Sequence, residues 1–421
     1  MRSSLGLFIF LALMLLMDFY VFLAVKSITN NASEKTKMVV YSIYWCLTVL
    51  SIIGILVFVY ASPSLLSKPV RTYIFSTIIG VFLSKILVVF FLIADDVRRM
   101  IQWLIQKLVM NANATSLDKA ASNAEEVISR SVFMSWLGIA AGGTLFGSLI
   151  SGFSNKYKYT VIKQQLRFPN LPASFKGLKI LHISDIHSGS FLDKHAVQKG
   201  VDLILQQQAD LILFTGDLVN DRAEEMNEYK ALFSSLKAPL GVYSTLGNHD
   251  YGDYVQWPYN GISKEENLNL LKKVHVDMGW KLLMNEHVIL ERGNDTIALL
   301  GIENWSSKAR FPKHGRLDLA HAGTENQPFK ILMSHDPSHW HAQVLPEYEY
   351  IDLTLSGHTH GMQFGVELPG FKWSPVQYVY KEWAGLYESG KNKLYVNRGF
   401  GFIGYPGRVG VLPEITVLEL V

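Results

Sequence analysis

Residues 178–187 read LKILHISDIH, and this stretch decides the fold. A short apolar run breaks off into Ser184-Asp185-Ile186-His187. Short apolar runs bounded by polar loops mark strands buried on both faces. The pattern recurs at residues 211–217 (LILFTGD), 241–250 (GVYSTLGNHD), 330–336 (KILMSHD) and 353–360 (LTLSGHTH). Further strand-like runs occupy residues 159–168, 297–302, 393–396 and 415–420, and helical patterns at residues 195–207 and 264–274 lie among them. Strands alternating with helices predict a layered α/β fold. In such a fold the loops at strand C-terminal ends gather along one rim, where ligands bind.

Five of these strand ends carry Asp, His or Asn: Asp185 and His187, Asp217, Asn248 to Asp250, His335 and Asp336, and His358 with His360. One such residue is usually structural, but five loops of them on one rim argue for metal. Mixed oxygen and imidazole donors suit manganese, iron or zinc and argue against a copper thiolate site. Seven or more donors are too many for one tetrahedral zinc, whereas two metals sharing a carboxylate fit. Two divalent ions, offset by two aspartates and a bridging hydroxide, leave a charge of about +1 that attracts a phosphate group. No serine-hydrolase elbow and no GxxxxGK[ST] phosphate loop competes. The polar stretch at residues 303–328 reads as a surface excursion.

The N-terminal part is of another kind. The 421 residues are 49% hydrophobic and only 18% charged, with a mean hydropathy of +0.17. That balance excludes intrinsic disorder and places much of the chain in lipid. A net charge of +3 gives no argument for nucleic acid, and one cysteine, Cys46, excludes an internal disulfide framework. Residues 5–25, 39–61, 73–94 and 132–153 are each long enough to cross a bilayer core. Residues 97–110 mix apolar positions with Arg98, Arg99 and Lys107, which predicts an interfacial helix with Trp103 at headgroup depth. Asp18 and Lys85 fall inside the first and third spans at matching depth, so an intramembrane contact between them is expected. Arg98, Arg99 and Arg130 make the third loop cytoplasmic and put the C-terminal region outside, although Lys156, Lys158 and Lys163 pull the other way.

The series Asp185-x-His187, Gly216-Asp217, Gly247-Asn248-His249-Asp250, His335 and Gly357-His358-x-His360 resembles the calcineurin-like metallophosphoesterase superfamily. Gly361 and Gln363 after the last histidines are similar to its bacterial membrane-associated branch. The resemblance implies an α/β fold of two packed β-sheets flanked by helices, here preceded by a bundle of about four transmembrane helices. It divides the chain into a membrane region at residues 1–154, a linker with the first strand at 155–175, and a metallophosphoesterase domain at 176–421. It implies that Asp185, His187 and His360 hold one metal, that Asn248, His335 and His358 hold another, and that Asp217 bridges both. His249 would face the scissile phosphate as charge stabiliser or acid, oriented by Asp250.

The implied activity is hydrolysis of a phosphodiester, pyrophosphate or phosphomonoester by a metal-bridging hydroxide. Membrane anchoring and the aromatic stretch after His360 favour a lipid or envelope-derived substrate, and the basic residues beside the spans place the catalytic domain on the extracytoplasmic side of a bacterial inner membrane. Alternatives are a cytoplasmic-face hydrolase of a nucleotide-linked lipid precursor and a non-catalytic metal-bound scaffold. Three positions depart from the pattern: Asn220 where relatives carry an acidic residue, Met362 where they often carry Gly, and Ser129-Arg130-Ser131, a twin-arginine signal short of one arginine. Phe364, Phe371, Trp373, Tyr378, Tyr380, Trp383 and Tyr387 read first as sandwich core, with an apolar lip as the alternative. Arg398 and Arg408 read as surface ion pairs, with anion binding as the alternative.

Overall fold

The computed structural model describes residues 4–60, 66–110 and 130–421. Ala61, at the end of the expected second span, and Ser129 of the arginine pattern lie outside the described residues. The chain divides into two compact units, residues 1–151 and 152–421.

The first unit holds four helices, α1 (Ser4–Ile28), α2 (Glu34–Tyr60), α3 (Lys68–Met110) and α4 (Arg130–Gly152). Each contains a stretch long and apolar enough to cross a membrane. Their apolar residues face outward, as with Phe8, Leu16 and Phe90, while polar groups lie inside, which suits lipid as the surrounding solvent. The Lys85 ammonium pairs with the Asp18 carboxylate in that interior. Tyr44 Oη donates to the Asp18 carbonyl at 2.8 Å and to its Oδ1 at 3.2 Å, and Lys85 Nζ donates to Thr48 Oγ1 at 3.2 Å. The expected contact is therefore formed and buried within a small polar cluster. Close approach of α4 to α3 depends on Gly142, where a Cβ would come within 2.7 Å of Val88 and 2.8 Å of the Ser84 carbonyl. The segment expected as a separate interfacial helix is a continuation of α3. No proline or glycine after Gly80 interrupts that helix.

The second unit is built on two six-stranded sheets. Its strands are β1 (Thr160–Leu166), β2 (Lys179–Ile183), β3 (Leu211–Phe214), β4 (Val242–Ser244), β5 (Lys281–Leu282), β6 (Glu286–Arg292), β7 (Asp295–Gly301), β8 (Lys330–Met333), β9 (Leu353–Ser356), β10 (Val366–Leu368), β11 (Phe371–Trp373), β12 (Gly385–Ser389), β13 (Asn392–Val396) and β14 (Glu414–Leu420). One sheet runs β1-β14-β2-β3-β4-β5 and the other β12-β13-β9-β8-β7-β6, while β10 and β11 form a separate hairpin. β2 to β5 are mutually parallel, as are β7, β8, β9 and β13. β1, which falls where the first strand was expected within residues 155–175, pairs along its full length with β14.

Residue alternation explains the layers. Ile180, Leu211, Ile331, Met333 and Leu353 point between the sheets. Leu181 and Ile183 point the other way, under the helix α5 (Lys194–Leu205), and Leu332 points to the outer face of the second sheet. With both faces buried, each of these central strands reads as a continuous apolar run. Asp193 caps α5 by accepting from the Ala196 amide at 3.0 Å. Two further helices follow, α6 (Lys230–Phe233) and α7 (Lys264–Asp277). A reciprocal Ser263–Glu266 capping box starts α7.

Candidate metal centre

The loops leaving β2, β3, β4, β8 and β9 bring all seven expected donors together. The donor atoms of Asp185, His187 and His360 lie within 4.8 Å of one another, as do those of Asp217, His335 and His358. Asn248 joins the second group, its Oδ1 2.8 Å from His358 Nδ1. Asp217 faces both groups, with Oδ2 3.5 Å from His187 Nε2 and 3.2 Å from His335 Nε2. His187 Nε2 and His360 Nε2 stand 3.1 Å apart.

The hydrogen bonds around these groups fix which atoms face inward. His335 Nδ1 donates to the Thr215 carbonyl at 2.7 Å, leaving Nε2 toward Asp217. Tyr380 Oη donates to Asp336 Oδ2 at 3.1 Å and receives His358 Nε2–H at 2.9 Å, leaving the His358 Nδ1 lone pair toward Asn248. The Asn248 amide donates to Tyr254 Oη at 2.8 Å, which turns its oxygen inward as well. Lone pair thus faces lone pair at 2.8 Å, an arrangement that a cation between them reconciles. Electrostatics agree. Burial by itself pushes the Asp217 carboxyl up, but the surrounding imidazoles, His335 first, hold it well below the usual carboxylate range. Burial pushes His335 down, yet the Asp217 carboxylate lifts it to about 10. Six negative or lone-pair donors, with the Asp217 carboxylate facing both groups, fit divalent ions.

The backbone is bent to achieve this. Asp185, His187, Asp217, His358 and His360 have φ between 47° and 71°, the left-handed region that side chains disfavour. Asp250 helps hold the bends. Its carboxylate accepts the amides of Asp217 and Leu218 at 2.8 Å and of Gly247 at 2.9 Å. It was expected to orient His249; instead its oxygens are engaged by the backbone, and His249 Nδ1 donates to the Asn220 carbonyl at 2.8 Å. Asn220, a departure from the family pattern, orients the ring through its main chain, which its side chain does not alter.

The centre opens into a cleft of about 610 Å³, whose wall includes His249, Tyr254, Arg310, Phe311, Met362 and Val379. The stretch at residues 303–328 is therefore more than a surface excursion. Its Phe311 ring stands 4.7 Å from the His358 ring, and Arg310 reaches the cleft. The aromatic stretch divides: Tyr380 and Trp383 are buried, whereas Phe371 and Tyr378 are exposed. Arg398 pairs with Glu367 near the surface, as expected, but its second partner, Glu414, is buried. Arg408 does not. It is fully buried, donating to the carbonyls of Arg398 at 2.8 Å and of His360 and Gly399 at 3.2 Å, because the Gly-rich loops around it leave carbonyls without strand partners. Sequence reasoning passed over Tyr380, Tyr254 and the carbonyls of Thr215 and Asn220. Only Tyr380 gave a signal, as one of many aromatics.

Comparison with known proteins agrees with this geometry. The family model described as "Calcineurin-like phosphoesterase" matches residues 178–362. The model described as "Probable Calcineurin-like phosphoesterase, transmembrane domain" matches residues 1–156. The metallophosphoesterase YkoQ of Bacillus subtilis is 30% identical over 59% of this chain and 86% of its own length. The phosphodiesterase YaeI of Escherichia coli is 29% identical over 58% of this chain and 82% of its own. A transmembrane protein with a metallophosphoesterase domain from Danio rerio is 30% identical over 62% of this chain, and the match spans 57% of that relative. With its five strand-end loops and four spans, the chain is an integral membrane member of the calcineurin-like phosphoesterase family.

Proposed function

We propose that the protein is a membrane-anchored, dinuclear-metal-dependent phosphoesterase, with a phosphodiester or pyrophosphate as preferred substrate. The observation that carries this is Asp217, whose Oδ2 faces His187 on one side and His335 on the other. A carboxylate so placed suits the bridge between two ions. Asp185, His187 and His360 would hold one ion, and Asn248, His335 and His358 the other, with manganese, iron and zinc all compatible. Two such ions supply Lewis acidity toward a phosphoryl group and a nucleophile available at neutral pH.

The remaining work falls to the chain. His249, fixed through Nδ1 by the Asn220 carbonyl, keeps Nε2 for the leaving oxygen of a phosphate in the cleft. Tyr380 and Asp336 hold His358 in the tautomer that offers Nδ1. Arg310, exposed on the cleft wall, supplies a charge for a second anionic group. That YaeI is named a phosphodiesterase supports the diester preference.

The test uses the full chain in detergent, loaded with manganese and offered a chromogenic phosphodiester beside the matching monoester. Metal-dependent turnover, faster on the diester and lost in Asp217→Asn, is expected. Two bound ions per chain with no turnover of either ester would replace this reading with a metal-bound scaffold.

A further inference from the structure

The β10–β11 hairpin is built the wrong way round for water. Its register pairs Val366 with Trp373, Glu367 with Lys372 and Leu368 with Phe371. Alternation along each strand then places Val366, Leu368, Phe371 and Trp373 on one face and the two charges on the other. The charged face is the one that engages the domain. Glu367 pairs with Arg398, and Lys372 Nζ donates to the Ala384 carbonyl at 2.6 Å and to Tyr387 Oη at 3.0 Å. The apolar face looks outward, with Leu368 63% and Phe371 56% exposed at the tip. The turn that follows adds Tyr378 at 77% and Val379 at 52%, and Met362 just before the hairpin is 59% exposed. Large apolar side chains exposed elsewhere on this unit are scattered singly, which is ordinary; a cluster of this kind marks an interaction surface.

We propose that this lip is a lipid-contacting surface, through which the cleft receives phosphoesters carried by a bilayer; the second half rests on the phosphoesterase reading. Three observations select lipid as the occupant. Large apolar side chains turned outward are what the membrane helices show as well, and the hairpin's charges, though still exposed, lie on its other face. The lip is continuous with the catalytic cleft, because Met362, Val376 and Val379 line it beside His187 and Asp217. An acyl chain leaving the bilayer along this strip would bring its phosphate to the donor cluster. Finally, β1 begins at Thr160 and α4 ends at Gly152, so residues 153–159 span at most about 25 Å even when fully extended. The catalytic unit therefore stays on a short tether to the last apolar helix. Lys381 beside the lip and Arg310 on the cleft wall are exposed cations, matched to phosphate at the headgroup level.

The test places a probe on the lip of the full chain. Cys46, the single cysteine, is replaced in Cys46→Ser, and Leu368→Cys is labelled with an environment-sensitive fluorophore in lipid nanodiscs. Leu319→Cys, an exposed apolar site elsewhere on the unit, serves as reference. Nitroxide-bearing lipids are expected to quench the probe at position 368 and not at 319. A probe at 368 with water-like, unquenched emission overturns the proposal. So does blue-shifted emission without lipid quenching that grows with protein concentration, which would assign the lip to a second copy. In parallel, the double variant Leu368→Asp/Phe371→Asp is expected to lose about tenfold in turnover of a lipid-borne phosphodiester in nanodiscs. Its turnover of the water-soluble chromogenic diester stays unchanged. Equal loss on both substrates overturns the substrate route, whereas a parent chain inactive on both diesters refutes the phosphoesterase reading and leaves the quenching result to stand by itself.

Discussion

Replacing His275 with leucine removes an acid sensitivity built into the catalytic unit. His275 lies in α7, fully buried, with its ring 6.1 Å from Trp280 and 6.3 Å from Phe214. Neither ring nitrogen has a hydrogen-bond partner among the described residues. Burial alone pushes the imidazole from 6.5 down to about 3. The folded chain therefore keeps the ring neutral where the unfolded chain binds a proton. Stability is complete above pH 6.5 and is lost as the pH falls from there toward 3. At pH 5 the difference is about 1.5 pH units, which at 1.36 kcal/mol per unit amounts to about 2 kcal/mol. For a unit of this size that is about 4 °C in unfolding midpoint. Leucine has nearly the volume of histidine and no proton to take. Thermal unfolding of parent and His275→Leu, followed by tryptophan fluorescence at pH 7.5 and pH 5, measures the difference. The parent is expected to fall by about 4 °C more than the variant. Loss of metal in acid affects both chains alike and cancels. Parallel falls in the two proteins would show that the ring is hydrated or charged in the fold, and the argument would fail.

Three further outcomes are expected. Tyr380→Phe removes the hydroxyl that fixes the His358 tautomer, and should weaken metal binding by about 10- to 100-fold, read by calorimetric titration with manganese. Gly399→Ala should leave the fold intact but cut metal content. Its Cβ would come 2.9 Å from His360 Nδ1 and 3.0 Å from Asp185 Cβ, at a φ of +84°; normal metal content with a normal circular-dichroism spectrum would contradict this. Lys85→Met should cost about 3 kcal/mol by leaving the Asp18 carboxylate without its cation, whereas Asp18→Asn/Lys85→Met should cost less than that single change. Additive losses in detergent-resistance measurements would dismiss the pair as a stabilising contact.

The catalytic fold is legible in the sequence wherever burial is complete. β2, β3, β8 and β9 are apolar runs with both faces covered, so composition alone marks them. Of the edge strands, β1 shows as an apolar run, but β5, β6 and β12 escape. In β6, Glu286, Glu291 and Arg292 share seven residues with the apolar ones, and only Leu290 is buried. β10 and β11 are exposed and only three residues long, too short for a period. The donor set is legible because each member follows directly on a strand. What the sequence hides are contacts between distant loops, such as Arg408 reaching the His360 carbonyl, or Asp250 serving amides after β3 instead of the neighbouring ring. Such partners carry no spacing rule, since they meet only when the two sheets pack.

The left-handed backbone at five of the donor positions sets evolution of this protein against itself. Each such residue costs about 1–2 kcal/mol that glycine would recover. Substitutions to glycine at Asp185, Asp217 or His360 thus offer relief of strain together with loss of a donor. Selection for heat resistance alone, in a library of this chain, would enrich inert proteins. Thermal tolerance and turnover must be selected together, and improvements to the first have to be sought in the helices and edge strands, away from the rim.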